Sequence, residues 1–357
     1  MTGKGRRNPR LKELSSELGL SITTVSRALA GYSDVSAATQ KRVREVAAKH
    51  GYVPSRAGRM LVTGSSGFAG LVVPLRDSNF IDAFLGEFIA GISETLTENG
   101  RDLAIATATR SRSELDVMRH LVNGQQADGV IVNRALERDE RVSYLIDQHV
   151  PFVVHGRVLN ESRPHVWFDT DGEAAFASAT NMLIDMGHRH FGLLTLSEPL
   201  TFAHYRRLGV EKALQKRGLQ LPGNAAVSVV SRFDDHEIAR ASTQLLNLDP
   251  RPTAIMCVTD ALAIKLVEVA NQMNVCVPDD LSVIGFDNVP ISAYASPGIS
   301  TFDQHIRDSA ISVADMLIQL MSKSPKSVES RLVEATFIAR GSHGPAPNLR
   351  PSLKAVV

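Results

Sequence analysis

Apolar positions recur at helical spacing in three short segments early in the chain, Leu11–Leu18, Ile22–Leu29 and Thr39–His50. Helices this short are unstable alone in water, so the pattern predicts that they pack on one another. Gly19-Leu20-Ser21 leaves room only for a tight turn between the first two, with Ser21 as N-cap of the second. Gly31 supplies a positive φ after that helix, Ser36 is a cap candidate one turn before the third, and Gly51 stops it. Val43, Val46 and Ala47 close the small core. After Tyr52-Val53-Pro54 the stretch Ser55–Val62 is short, polar and basic, and Gly58 costs any helix there about 1 kcal/mol relative to Ala. Thr63–Gly67 reads as a Gly/Ser linker and a domain boundary.

Beyond the linker the period changes. Short apolar runs at Ala69–Val73, Leu103–Thr107, Gly129–Val132, Phe152–Val154 and Val166–Phe168 predict strands. So do Phe191–Leu196, Ala226–Val230, Ala254–Val258 and Leu281–Phe286. Amphipathic helices are predicted between most of them, at Ile81–Glu98, Ser113–Val122, Gly172–Met186, Ala203–Lys216, His236–Leu246, Ala261–Gln272 and His305–Met321. Strands alternating with helices give parallel sheets, and about 270 residues of the pattern suit two doubly wound lobes better than one sheet. A small ligand would bind in the cleft between them.

Charge divides the chain in the same place. Met1–Val62 holds 12 Lys and Arg against 4 Asp and Glu, whereas the rest holds 27 against 34. A basic head on an acidic body suits a nucleic-acid-binding domain joined to a regulatory one. No run approaches the roughly 18 apolar residues of a membrane span, and Thr2–Arg10 is too basic and polar for a signal peptide. Cys257 and Cys276 lie in apolar segments without metal-ligand spacing, which predicts reduced core residues in a cytoplasmic protein.

Two helices around a tight turn form a helix-turn-helix, whose second helix enters a DNA major groove. That helix carries Ile22, Thr23, Thr24, Ser26 and Arg27, which can touch base edges and phosphates, although Thr24 also suits a purely structural place and Val25 faces the core.

The chain resembles the LacI/GalR family of bacterial transcription regulators over almost its whole length. The resemblance rests on Leu-Gly-Leu-Ser-Ile-Thr-Thr-Val-Ser-Arg-Ala-Leu at 18–29, Val35-Ser36, Thr39, Val43 and Gly51-Tyr52-Val53-Pro54. Later signatures are Val73-Pro74 before Ser78-Asn79-Phe80, Asp128-Gly129-Val130-Ile131, Gly187-His188-Arg189, Arg206 with Gly209, Thr259-Asp260, and Val277-Pro278 leading to Val283–Asn288. It implies an all-α helix-turn-helix head-piece at 1–53, a hinge helix and linker at 54–66, and a periplasmic-binding-protein-like α/β body at 67–357. The body would hold two doubly wound parallel-sheet lobes, one about 67–167 and 299–329, the other about 168–298 and 330–342. The implied partners are double-stranded DNA with a palindromic operator, a second copy of the chain and a sugar effector, with no cofactor, metal or membrane.

The resemblance makes Ile22, Thr23 and Arg27 base-facing, with Arg27 able to fork onto guanine and Ile22 to cover a thymine methyl. Ser21, Thr24 and Ser26 are placed for phosphates at the positive end of the helix. Leu61 holds the place of a leucine that wedges into the minor groove, or else packs on the lobe below. Ser55 and Gly58 stand where the family usually has Asn and Ala; Ser55 can still cap the hinge helix, while Gly58 weakens it.

For the effector, the resemblance points to Arg206 and Asp287, with Phe233 for ring stacking and Asp77, Asn79 and Phe80 on the first strand-to-helix turn. Asp171, Asp260 and His155-Gly156-Arg157 are further candidates, and Thr259 replaces a common Asn. Arg206 also suits a surface salt bridge, and Asp260 a plain helix cap. The Leu200–Ala203 run, His155-Gly156-Arg157 and Arg340-Gly341-Ser342 look like regulators of α-glucoside or oligosaccharide use. The tail after Arg340 has no apolar heptads, which favours a dimer over a coiled-coil tetramer. No Gly-x-Ser-x-Gly elbow occurs, and Gly64-Ser65-Ser66-Gly67 precedes a strand instead of following one, so neither a hydrolase nor a dinucleotide enzyme is indicated.

Overall fold

The computed structural model describes residues 11–29, 31–52, 64–74, 83–109, 111–229, 234–322 and 327–347. The expected Ser55, Gly58 and Leu61 of the hinge, and Asp77, Asn79, Phe80 and Phe233 of the effector set, lie outside the described residues.

Three helices form the head: α1 (Leu11–Leu18), α2 (Ile22–Leu29) and α3 (Ala37–Lys49). Ser36 caps α3 by accepting from the Thr39 amide, so the helix starts two residues before the apolar pattern does. Gly19 takes a φ of +66° in the turn, and the Leu20 amide closes it onto Ser15 O at 3.1 Å. Leu14, Leu18, Val25, Ala28, Val35, Val43 and Ala47 form the core, with Val46 at its edge.

The body has two parallel sheets. The first lobe's sheet is built from β1 (Phe68–Pro74), β2 (Asp102–Ala108), β3 (Gly129–Val132), β4 (Phe152–His155), β5 (Val166–Thr170) and β11 (Arg331–Val333), in the spatial order β11-β5-β4-β3-β1-β2. The second lobe has β6 (Phe191–Leu196), β7 (Ala226–Val229), β8 (Ala254–Cys257) and β9 (Ser282–Ile284), in the order β7-β6-β8-β9. An antiparallel pair, β10 (Thr301–Asp303) and β12 (Thr336–Ile338), accompanies the crossings between them. Helices α4 (Ala83–Glu98), α5 (Glu114–Asn123), α6 (Glu140–Asp147) and α12 (Ile306–Leu320) belong to the first lobe. Helices α7 (Gly172–Asp185), α8 (Thr201–Lys216), α9 (Asp235–Leu246), α10 (Asp260–Gln272) and the short α11 (Pro290–Tyr294) belong to the second.

The lobe limits differ from those expected. β5 pairs with β4, and β11 with β5, so 168–170 and 331–333 belong to the first lobe. Ile299 and Phe302 sit in the second lobe's core, so that lobe continues past 298. The crossings therefore fall at Thr170–Asp171, after Asp303 and after Val333, set by strand pairing that a local pattern does not carry. Cys257 is buried as expected, but Cys276 is exposed, because its loop turns outward after α10. No helix among the described residues is long and apolar enough to cross a membrane.

Close helix packing explains the Arg-x-x-Gly spacing. A Cβ on Gly209 of α8 would stand 2.2 Å from Glu173 O and 3.0 Å from Ala177 N of α7. Those neighbours are backbone and cannot swing away. Gly209→Ala is therefore expected to destabilise the second lobe by about 3 kcal/mol, at the upper end of overpacking costs, read as a lowered thermal midpoint of the full-length protein. An unchanged midpoint would mean that the two helices slide apart freely.

Candidate functional site

The head presents its second helix as a recognition element. Ile22 is 46% exposed, unusual for an isoleucine, and Ser21 and Thr23 beside it are exposed as well. Val25 and Ala28 on the opposite face are buried. Ser21 Oγ accepts from the Thr24 amide at 3.0 Å and lies 2.8 Å from Thr24 Oγ1, so the cap is formed. Arg27 is held before any ligand arrives: its guanidinium lies over the Tyr32 ring at 4.5 Å and pairs with Asp34 at 2.6 Å. Ser26 is half-buried beside it.

In the body, Arg206 and Asp287 come together as expected. α8 starts at Thr201, so Phe202 and Arg206 project one turn apart. The Arg206 guanidinium lies 3.6 Å from the centre of the Phe286 ring and 4.7 Å from that of Phe202. Its Nη1 donates to Val258 O at 2.5 Å, and Nη2 stands 3.8 Å from Asp287 Oδ1. Gly172, at the start of α7, leaves the space: a Cβ there would lie 3.0 Å from Arg206 Cγ. Arg206 is only 5% exposed, which rules out the surface salt bridge.

Asp287 has a φ of +112°, a conformation that disfavours side chains and is sustained only where its surroundings enforce it. Its amide donates to Phe302 O at 3.0 Å, and Gln304 Nε2 donates to its Oδ1 at 2.6 Å. Gln304 was not singled out from the sequence, because a lone Gln after a strand carries no signal until the chain folds back.

Asp260 is held by bonds within the second lobe. It is fully buried, with Oδ1 accepting from Thr301 Oγ1 at 2.6 Å and Oδ2 from the Val289 amide at 3.1 Å. Those bonds tie the 287–301 loop to α10, and its side chain is not the cap of its own helix. Burial, and then the charge of Asp287, push its carboxyl up to about 7. Burial likewise raises the Cys257 thiol, three residues earlier, well above its ordinary value. Asp171 accepts from the Ala174 amide at 2.9 Å, which makes it the N-cap of α7 at the lobe crossing.

The first lobe contributes His155 and Asn133, at the carboxyl ends of neighbouring strands. The His155 ring lies 4.7 Å from Phe88, 6.1 Å from Phe84 and 6.4 Å from Phe168. Its Nδ1 is 3.4 Å from Asn133 Oδ1. Burial, with a smaller push from Arg206, lowers its pKa to about 4, so the imidazole is neutral at pH 7. Arg157 lies 3.7 Å over the Tyr205 ring and donates to Asp169 at 2.7 Å. Burial raises the Asp169 carboxyl, although Arg157 pulls it back. Thr259 Oγ1, next to the carbonyl that holds Arg206, is buried without a hydrogen-bond partner among the described residues. Such a constellation can bind a polar ring: a forked cation and a carboxylate for hydroxyls, flanked by aromatic faces. No group of three metal-ligating side chains is present among the described residues.

Comparison with known proteins places both parts. Residues 10–55 match the description "Bacterial regulatory proteins, lacI family", and 180–343 match a periplasmic binding protein-like domain. The HTH-type transcriptional regulator AglR of Rhizobium meliloti (strain 1021) is 34% identical over 345 residues, 96% of each chain. The HTH-type transcriptional regulator RafR of Escherichia coli is 30% identical over 344 residues, covering 94% of this chain and 99% of RafR. Among solved structures, the lac repressor dimer bound to operator and the anti-inducer ONPF superposes with a TM-score of 0.78 at 22% identity, over 94% of this chain and 99% of that one. The CelR–cellobiose complex does so with a TM-score of 0.71 at 24% identity, again over 94% and 99%. These two likenesses concern the fold.

Proposed function

Since this chain belongs to the lacI family of bacterial regulatory proteins and is a DNA-binding transcriptional regulator, we propose that it acts as a homodimeric repressor of carbohydrate uptake or catabolism genes, released from its operator by a sugar. The observation that carries the sugar reading is the enclosed Arg206–Asp287 pair between Phe202 and Phe286, 5% and 6% exposed, with polar groups of both lobes around it. A neutral polyol satisfies a cation and a carboxylate at once, because each hydroxyl both donates and accepts. Asp77, Asn79, Phe80 and Phe233 are assigned to the same site on sequence grounds, and Asp171 to its edge. The residue patterns favour an α-glucoside or oligosaccharide.

On DNA, Ile22, Thr23 and Arg27 read bases, Ser21, Thr24 and Ser26 face phosphates, and the hinge with Ser55, Gly58 and Leu61 enters the minor groove. Two heads related by dimer symmetry then read two half-sites. Arg27→Ala is expected to lose about 1–3 kcal/mol of operator affinity and to relax specificity at one position, measured by competition with single-base operator variants. Equal weakening on every sequence would make Arg27 a phosphate contact instead.

The test of the whole reading is selection of genomic fragments with the purified protein. A shared palindrome upstream of sugar uptake or glycosidase genes is expected, with carbohydrates that dissociate the complex. Salt-sensitive binding without a shared motif would sink it.

A further inference from the structure

On one rim of the cleft the two lobes are joined by a small antiparallel junction between Arg134–Glu137 and Glu198–Thr201. Leu136 bridges to Leu200, the Thr201 amide donates to Ala135 O at 3.0 Å, and the Glu137 amide donates to Pro199 O at 2.9 Å. Thr201 Oγ1 donates to Ala135 O at 3.2 Å, and the Arg134 guanidinium pairs with Glu198. Leu136, from the first lobe, packs on the core of the second.

Both sides of this junction are stiff. Behind Arg134, the buried Arg141 donates to its carbonyl at 3.0 Å and pairs with Asp139 at 2.6 Å and with Glu114. Asp139 in turn accepts from the Leu136 amide at 3.2 Å. In the second lobe, Leu200 is buried, the Ser197 amide is tied to Val229 O at 2.8 Å, and α8 begins at Thr201. The same helix carries Phe202 and Arg206. Among the described residues, two backbone hydrogen bonds, one hydroxyl bond, the Arg134–Glu198 ion pair and a His204–Glu137 contact at 3.4 Å stand between the two braced segments. Such a junction breaks and re-forms as a unit without unfolding either lobe. Arg206 and Asp287, 5% and 6% exposed, are closed off in the present arrangement of the lobes.

We infer that this junction is the latch of the cleft: it parts to admit effector and re-forms over it, and the Arg134–Glu198 pair sets the closed fraction. The inference rests on the cleft being the effector site, but its test uses no effector and so fails separately from that reading. Hydrogen exchange of the full-length protein, followed by mass spectrometry, reports peptides that contain the Glu137 and Thr201 amides. In Arg134→Ala both peptides are expected to exchange about tenfold faster and together, while peptides from β3 and β6 keep their rates, as expected for loss of one charge-assisted bond. Glu198→Gln, nearly the same shape without the charge, is expected to accelerate the same two peptides by a smaller factor. The reversed pair, R134E with E198R, is expected to restore protection. Unchanged exchange at both peptides in Arg134→Ala, or acceleration spread through both lobes in both single variants, overturns the inference.

Discussion

Arg206→Ala is expected to abolish the response to effector while leaving operator binding intact. The guanidinium donates to Val258 O and faces Asp287 at 3.8 Å, between two phenyl rings. An effector hydroxyl placed there gains bonds to a charged donor, worth roughly 1.5–3 kcal/mol each. Losing two such bonds weakens binding by about a hundredfold or more. Removing the cation also strands the 6% exposed Asp287 beside Asp260, which favours protonation of the pair and further weakens the acceptor side. Arg206→Lys is expected to fail as well, because an ammonium has no planar fork. The head has its own core and caps, so operator affinity stays at the wild-type value. In cells, a reporter under the target operator should stay repressed by the variant on every carbohydrate that releases the wild type. A variant that still responds with wild-type sensitivity would reduce Arg206 to a strut between α8 and β8.

The head was legible because its signals are local. Gly19, Ser21, Gly31 and Ser36 each fix a turn or cap within a few residues of themselves, and the structure uses all four. The alternation of strand and helix likewise revealed two parallel sheets. Lobe limits were not legible. Val166–Thr170 and Arg331–Val333 are short segments whose place is set by each other, more than 160 residues apart. The site shows the same division. Arg206 and Asp287 stood out by residue type and by position after a turn or strand. Gln304 and Asn133 did not, since an amide side chain becomes a site residue only through what faces it. The bonds of Asp260 were not legible either, because its partners, Val289 and Thr301, arrive from some 30 and 40 residues downstream.

The positive φ at Asp287 connects these parts. Nothing local favours it; three ties hold it, through Phe302, Gln304 and Arg206. Arg340 braces the next turn by donating to Asn288 Oδ1 at 2.6 Å and Ile299 O at 2.8 Å. Asp260 braces it from beneath. The Asp287 carboxylate is thus aimed by a loop held on several sides, with bonds that reach into the second lobe and toward the crossing strands. On the proposed function, a ligand that pulls on Asp287 therefore pulls on the lobe crossings, and occupancy of the cleft would reach the rest of the body by that route.

Asp260 and His155 give this region opposite responses to pH, and separating them is expected to expose both. The Asp260 carboxyl, near 7 in the folded protein against 3.8 ordinarily, keeps a proton that the unfolded chain has released. Its contribution to stability is full below about pH 4, falls as pH rises, and levels off above about 7. His155, near 4 against 6.5, stays neutral where the unfolded chain binds a proton, so its contribution grows as pH rises from about 4 to 6.5. Each span of two to three pH units corresponds to a few kcal/mol, on the order of 3–4. Across their shared window the two nearly offset. Asp260→Asn keeps one acceptor for Val289 and can donate to Thr301 Oγ1, and it removes the falling part. Denaturant unfolding at pH 4.5 and 7.0 should then show Asp260→Asn gaining stability with pH relative to wild type. His155→Gln should lose it over the same interval. Carboxylates away from the Asp260–Asp287 pair contribute alike to all three proteins, so the differences isolate this region. An Asp260→Asn profile parallel to wild type would mean that Asp260 is ionised in the fold and that Asp287 carries the proton instead.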